Sequence, residues 1–192
     1  MKILQIGSYL DPNLVGGAEI SAKNMATILK NEGHELYSAA RANSTNAFST
    51  RFTKASDRTF KFENWRPYEP VEPGAKWQKP LFYLQELLGH LDHGEFKRLV
   101  TETGIGLIIV HSIRGIGYDI LETLARVNLP TVIFLHDYAL VCLNKGRRRK
   151  GKNCIGTCRH CKYIITKNRE HLNKITKLLL VGPSNYICET VK

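Results

Sequence analysis

Short apolar runs alternate with amphipathic stretches along almost the whole chain, and this rhythm limits the folds open to it. The apolar runs fall at residues 2–6, 34–39, 106–110, 131–135 and 178–181. Helical patterns lie at 17–31, 81–88, 95–103, 118–127 and about 162–175. In the first of these, Ala18, Ala22, Met25 and Leu29 are spaced four, three and four apart and share one face. Leu107-Ile108-Ile109-Val110 is unbroken apolar sequence, as in a strand of a parallel sheet covered on both faces. The expected fold is α/β and doubly wound, with a mostly parallel sheet.

A chain of 192 residues fits one domain that buries about 70% of its unfolded surface. No secretory leader is visible, because the apolar start is short and polar residues follow it. The longest apolar stretch, 129–143, is broken by His136 and Asp137 and falls short of a membrane span. A soluble, cytoplasmic protein is expected. The net charge of +11 is local: twelve basic residues and the single acid Glu170 lie within 142–177, and elsewhere the two signs balance. Such a window points to a specific anionic partner more than to general solubility.

Gly16-Gly17-Ala18-Glu19 opens the first helix after the first strand and a linking stretch over 7–15. Paired glycines at a helix start let backbone N–H groups approach a phosphate, and the helix dipole favours negative charge there. The same pair also serves as a plain permissive turn. Gly7-Ser8-Tyr9-Leu10-Asp11-Pro12 lacks the glycine spacing of a dinucleotide fingerprint, which disfavours a nicotinamide or flavin enzyme. Residues of about 40–80 break the rhythm, first polar, then rich in Pro and aromatics (Trp65, Pro67, Tyr68, Pro70, Pro73, Trp77, Pro80). They read as a variable surface insertion.

Cys142, Cys154, Cys158 and Cys161 crowd into a basic loop over 142–163, with Gly146, Gly151 and Gly156 between them. Four thiolates make a closed, structural zinc site with no open position for chemistry. Disulfides and plain packing are the alternatives, and His160 is a substitute ligand. Cys188 stands apart and is expected only to pack. Two histidines end strands: His136, followed by Asp137, and His111. Ligands of open α/β sheets sit at those ends, where a His can hydrogen-bond a sugar hydroxyl. His136 is read as functional and His111 as satisfying a neighbouring backbone carbonyl.

Taken together, the opening strand, Gly16-Gly17-Ala18-Glu19, the run from Leu29 to Gly33-His34-Glu35-Leu36, His136-Asp137-Tyr138 with the cysteine loop, and Pro183-Ser184 resemble one family. It is the amino-terminal domain of family 4 retaining glycosyltransferases, in a subgroup with a Cys-rich loop. The resemblance covers nearly all of 1–192, with 40–80 matching in position only. It implies a Rossmann-like domain forming one half of a GT-B architecture, which binds the acceptor while a nucleotide-sugar supplies the sugar. By this resemblance Gly16 and Gly17 lie against the donor diphosphate, His136 contacts the reaction centre, and Asp137 binds substrate. No catalytic cofactor is implied.

In that family the donor nucleotide is gripped mainly by a second, carboxyl-terminal domain, which would lie after Lys192 and is expected to be missing from residues 1–192. The chain ends soon after a helix start at Ser184, and alone it is expected to have little or no transferase activity. The expected partners are a nucleotide-sugar, a glycan or lipid-linked acceptor of cell-surface polysaccharide or glycolipid synthesis, and the anionic inner face of the membrane. The alternatives are a non-catalytic subunit of a split transferase and a zinc-knuckle nucleic-acid-binding module. Scarce aromatics in the basic window argue against nucleic acid.

Overall fold

The computed structural model describes residues 1–8, 16–43, 49–65, 76–149 and 151–191. Residues 9–15, the prolines 67, 70 and 73 with Tyr68, and Lys150 lie outside the described residues. Strand β1 (Lys2–Gly7) leads to helix α1 (Gly17–Asn31) and then β2 (Glu35–Asn43). A hairpin of β3 (Arg51–Ser56) and β4 (Thr59–Asn64) follows. Helices α2 (Lys79–Leu88) and α3 (His93–Thr103) precede β5 (Leu107–Val110), α4 (Asp119–Val127) and β6 (Thr131–Phe134). A two-stranded ribbon, β7 (Arg148–Arg149) and β8 (Lys152–Asn153), comes before α5 (Arg159–Leu172), β9 (Leu178–Val181) and α6 (Asn185–Val191).

The main sheet has seven strands in the order β3-β4-β2-β1-β5-β6-β9. Every neighbouring pair is parallel except the edge pair β3–β4. The fold is thus a Rossmann-like α/β domain. From β1 the chain winds outward to β2 on one side and later to β5 on the other, so the topological switch point lies between β1 and β5. That is the crevice where open α/β sheets take their ligands.

Alternation of side chains along the strands gives the sheet two packing surfaces. On one, Ile3, Leu36 and Ile109 meet Ala26 and Leu29 of α1. On the other, Leu4, Ile6, Ile108, Val110 and Ile133 meet α3 through Phe96 and Val100, α4 through Ile120, Leu121 and Leu124, and α5 through Ile164. The α1 surface is the more open one: Leu179, in register with Val132, is 57% exposed.

The region of 40–80 is more ordered than its composition suggests. Strand β2 runs on to Asn43, and the β3–β4 hairpin completes the sheet edge. Phe52, Phe60 and Phe62 are fully buried. Phe52 lies 4.6 Å from Phe96, 4.8 Å from Phe62 and 5.1 Å from Phe60, centroid to centroid. Their alternation with polar residues is a strand pattern, so this part of the expected surface insertion belongs to the core.

At the far edge, Ser184 caps α6 by accepting the Ile187 N–H at 3.4 Å. Gly182 sits where the chain turns from β9 into that helix. A Cβ there would come within 2.5 Å of Cys188 Sγ and 2.7 Å of Ile187 Cγ2. Cys188 therefore packs, as expected from its isolation. Gly182→Ala should cost about 1–3 kcal/mol in urea denaturation, the usual penalty of overpacking. An unchanged midpoint would mean that α6 yields freely.

Candidate functional site

The carboxyl ends of β1, β5 and β6 meet the amino end of α1 at the switch point. Ser8, just past β1, donates to the Arg114 carbonyl at 2.6 Å and lies 2.8 Å from Ser112 Oγ. Ser8 has spent its proton on a carbonyl, so Ser112 donates to Ser8 while accepting the Arg114 N–H at 3.2 Å. These two serines pin the ends of β1 and β5 together.

The two strand-end histidines form a pair. Val110 is in register with Ile133, so His111 falls beside Phe134 and His136 one step beyond on the same face. The His111 ring stacks on Phe134 at 5.1 Å and on His136 at 5.7 Å. His111 Nδ1 lies 3.4 Å from His136 Nε2, and His111 Nε2 lies 3.4 Å from Gln5 Nε2. The expected backbone-carbonyl partner for His111 is replaced by Gln5 and His136.

The polarity of this chain follows from its buried end. Gln5 Nε2 donates to the Ala22 carbonyl, which can only accept, so the amide nitrogen rather than the oxygen faces His111. His111 then accepts at Nε2 and donates from Nδ1 to His136 Nε2. His136 is left with its proton on Nδ1. Burial, reinforced by the His136 charge, pushes the His111 imidazole down to about 4. Burial also holds His136 below the usual histidine range, while the Asp137 and Glu19 carboxylates pull it back up.

A pH prediction follows from His111. Its folded-state value of about 4 lies below the ordinary 6.5, so between them the unfolded chain binds a proton that the fold refuses. Stability is complete above about 6.5 and is lost as the pH falls towards 4, by about 3 kcal/mol for this group. Urea midpoints should fall on acidification in the native protein and fall less in His111→Gln. Equal losses in both would refute the assignment.

Gly16 and Gly17 are exposed at the start of α1, and among the described residues beyond their own helix and chain neighbours no atom comes within 4 Å of a Cβ built on Gly17. Glu19 turns its carboxylate back towards Gly16, 3.4 Å from where a Cβ would stand, so an arriving anion must displace it. Asp137 accepts the Ala139 N–H at 2.8 Å and shapes the turn into the cysteine loop. One of its oxygens is therefore structural.

The four cysteines of the basic loop line one small cavity of about 60 Å³, with Arg147 and Thr190 beside them. Cys158 caps α5 and Cys161 lies in its first turn. Cys161 stands between Cys142 and Cys158. Burial first, then the hydrogen bond its S–H makes to Cys158 and the charge and hydrogen bond of Cys142, push its thiol up to about 12. The cavity gathers the expected zinc ligands on one wall, but among the described residues no three of the cysteines bring their Sγ atoms within 4.8 Å of one another, so they do not stand as a formed metal site. No disulfide joins the five cysteines.

The basic window is mostly surface, with Arg148, Lys152, Arg159 and Lys162 exposed around a fully exposed Ile155 and a 58% exposed Tyr163. Lys145 is the exception, buried against Glu86. Among the described residues no helix is long and apolar enough to cross a membrane. No protein-family model matches the chain, and no curated protein matches it either.

Proposed function

We propose that the chain is the acceptor-side domain of a retaining nucleotide-sugar glycosyltransferase, one half of a GT-B architecture. The observation that carries this reading is the meeting of the exposed α1 start with the His111–His136 pair at the sheet's switch point. Gly16 and Gly17 offer backbone N–H groups to the donor diphosphate. His136 donates from Nδ1 to a hydroxyl at the reaction centre, its ring held by His111. In such a reaction the protein mainly positions groups and stabilises charge as the diphosphate leaves. A structural zinc ion on Cys142, Cys154, Cys158 and Cys161, bracing the loop after His136, would require those thiols to draw closer together.

The test is transfer from labelled nucleotide-sugars into glycan and lipid extracts by the product of the full open reading frame. Transfer from at least one donor is expected. No transfer from any donor, with amide signals of Gly16 and Gly17 unmoved by nucleotide-sugars, would sink the reading.

The basic surface docks on an anionic membrane, with Ile155 and Tyr163 entering the headgroup region. Each well-placed Lys or Arg contributes about 1 kcal/mol there. Vesicles containing anionic lipid should sediment the protein, neutral vesicles should not, and Ile155→Glu should weaken the binding. Binding to RNA without binding to vesicles would favour the nucleic-acid alternative.

A further inference from the structure

Outside this cleft, where the α2–α3 loop meets the start of α4, two imidazoles and a carboxylate converge. His90 Nδ1 lies 3.3 Å from Asp119 Oδ2, and His93 Nε2 lies 3.7 Å from the same oxygen. The three ligand atoms all fall within 4.8 Å of one another. Glu122 Oε1 is 3.9 Å from His93 Nε2 and is paired on its other side with Arg126. The two histidine rings stand nearly perpendicular, at 78°. We propose that His90, His93 and Asp119 form a three-ligand site for a divalent transition cation of the zinc type, with Glu122 at its rim.

Hydrogen-bond polarity supports the site independently of the distances. Thr123 Oγ1 donates to the Asp119 carbonyl, which can only accept, and it lies 2.7 Å from His93 Nδ1. Thr123 therefore accepts the His93 Nδ1–H, and the lone pair of the neutral ring sits on Nε2. That lone pair faces two carboxylate oxygens. Only a second proton or a cation resolves the repulsion, and an outer partner on the far nitrogen is how ligating histidines are held.

The geometry suits a tetrahedral ion. Bonds of about 2.0–2.1 Å place ligand atoms ~3.4 Å apart, close to the 3.3 and 3.7 Å found. Two imidazole donors disfavour calcium and magnesium, which take oxygen.

The backbone bearing His90 is fixed before any ion arrives. Thr50 N–H donates to the His90 carbonyl at 2.6 Å, and the Asp92 N–H donates back to Thr50 at 3.3 Å. The Leu91 N–H holds Asp119 Oδ2 at 2.7 Å. A bound ion thus ties the loop, the β3 end of the sheet and α4 together, and it favours the folded state by mass action.

Cobalt(II) titration separates this site from the cysteines, because thiolates add a near-ultraviolet charge-transfer band and nitrogen–oxygen ligands do not. With Cys154, Cys158 and Cys161 changed to serine, one equivalent of cobalt should still bind and show only visible d–d bands. His90→Ala, at an 83% exposed side chain whose loss spares the core, should weaken that binding about 100-fold or more. If the serine variant fails to fold, the unaltered chain serves, and His90→Ala then removes only the nitrogen–oxygen spectrum. Absence of that spectrum, or an affinity unchanged by His90→Ala, would overturn the site and leave protonated histidines as its explanation.

Discussion

Lys145→Met should destabilise the protein by about 3–5 kcal/mol, the cost of breaking a buried ion pair from one side. Lys145 and Glu86 are both almost wholly buried, and Lys145 Nζ meets Glu86 Oε1 at 2.5 Å. The same carboxylate oxygen receives the Gly115 N–H at 2.6 Å, while Glu86 Oε2 meets no hydrogen-bond partner among the described residues. Burial pulls the Lys145 ammonium below the ordinary lysine range, and Glu86 opposes that pull. Removing the ammonium strands a carboxylate that only one N–H still faces. Neutralising both partners removes the stranded charge, so Lys145→Met with Glu86→Gln should recover part of the loss. Urea denaturation of both singles and the double closes the cycle. A loss under about 1 kcal/mol for Lys145→Met would show that water reaches the pair.

The pair matters for more than stability. Lys145 adopts a left-handed backbone, φ 56°, and its carbonyl accepts the Tyr138 N–H at 3.0 Å. It thereby closes the turn that begins at His136-Asp137. Glu86 anchors the opposite side through Gly115 and, by its own carbonyl, through the N–H of Tyr118, whose hydroxyl donates to the Ala139 carbonyl. A charge counted in the basic window is thus a strut of the cleft.

Sequence periodicity located what local forces decide. Helix α1 spans Gly17–Asn31 as expected, because its apolar spacing, its glycine start and Gly33 beyond its end all agree. Five of the six parallel strands, all but β4, were readable from their strand-like runs. The β3–β4 hairpin was hidden because its three buried phenylalanines are diluted by the Lys, Arg, Thr and Ser of a half-exposed edge. Long-range pairing was hidden more deeply. Glu86 and Lys145 are 59 residues apart, and nothing in either local pattern marks them as partners.

The cleft was half readable. Strand-end position singled out His136, but its contact with His111 depends on β5 and β6 being neighbours and on their register. Gln5 gave no signal, since a polar residue in a buried strand reads as noise until its amide is seen between Ala22 and His111. His90 and His93 do sit three apart in the sequence. Their third partner, Asp119, comes from the next helix, and only packing of α3 on α4 supplies it.

On the proposed function, His136→Ala should lower kcat for sugar transfer about 100- to 1,000-fold, the usual cost of losing a preorganised donor at a reacting centre. The expectation rests on the directed chain from Gln5 through His111, which fixes the ring and leaves the proton on Nδ1. Folding should be little affected, because His136 is only half-buried and terminates the stack on Phe134. His111→Ala should act differently. It releases the ring without removing the donor, so kcat falls less than in His136→Ala and regains part of its value in His111→Asn, whose amide restores a donor. Comparing the three rates with urea midpoints separates positioning from damage. If His136→Ala retained full kcat with unchanged stability, the histidine pair would be a packing feature and the reacting centre would lie elsewhere on the switch-point edge.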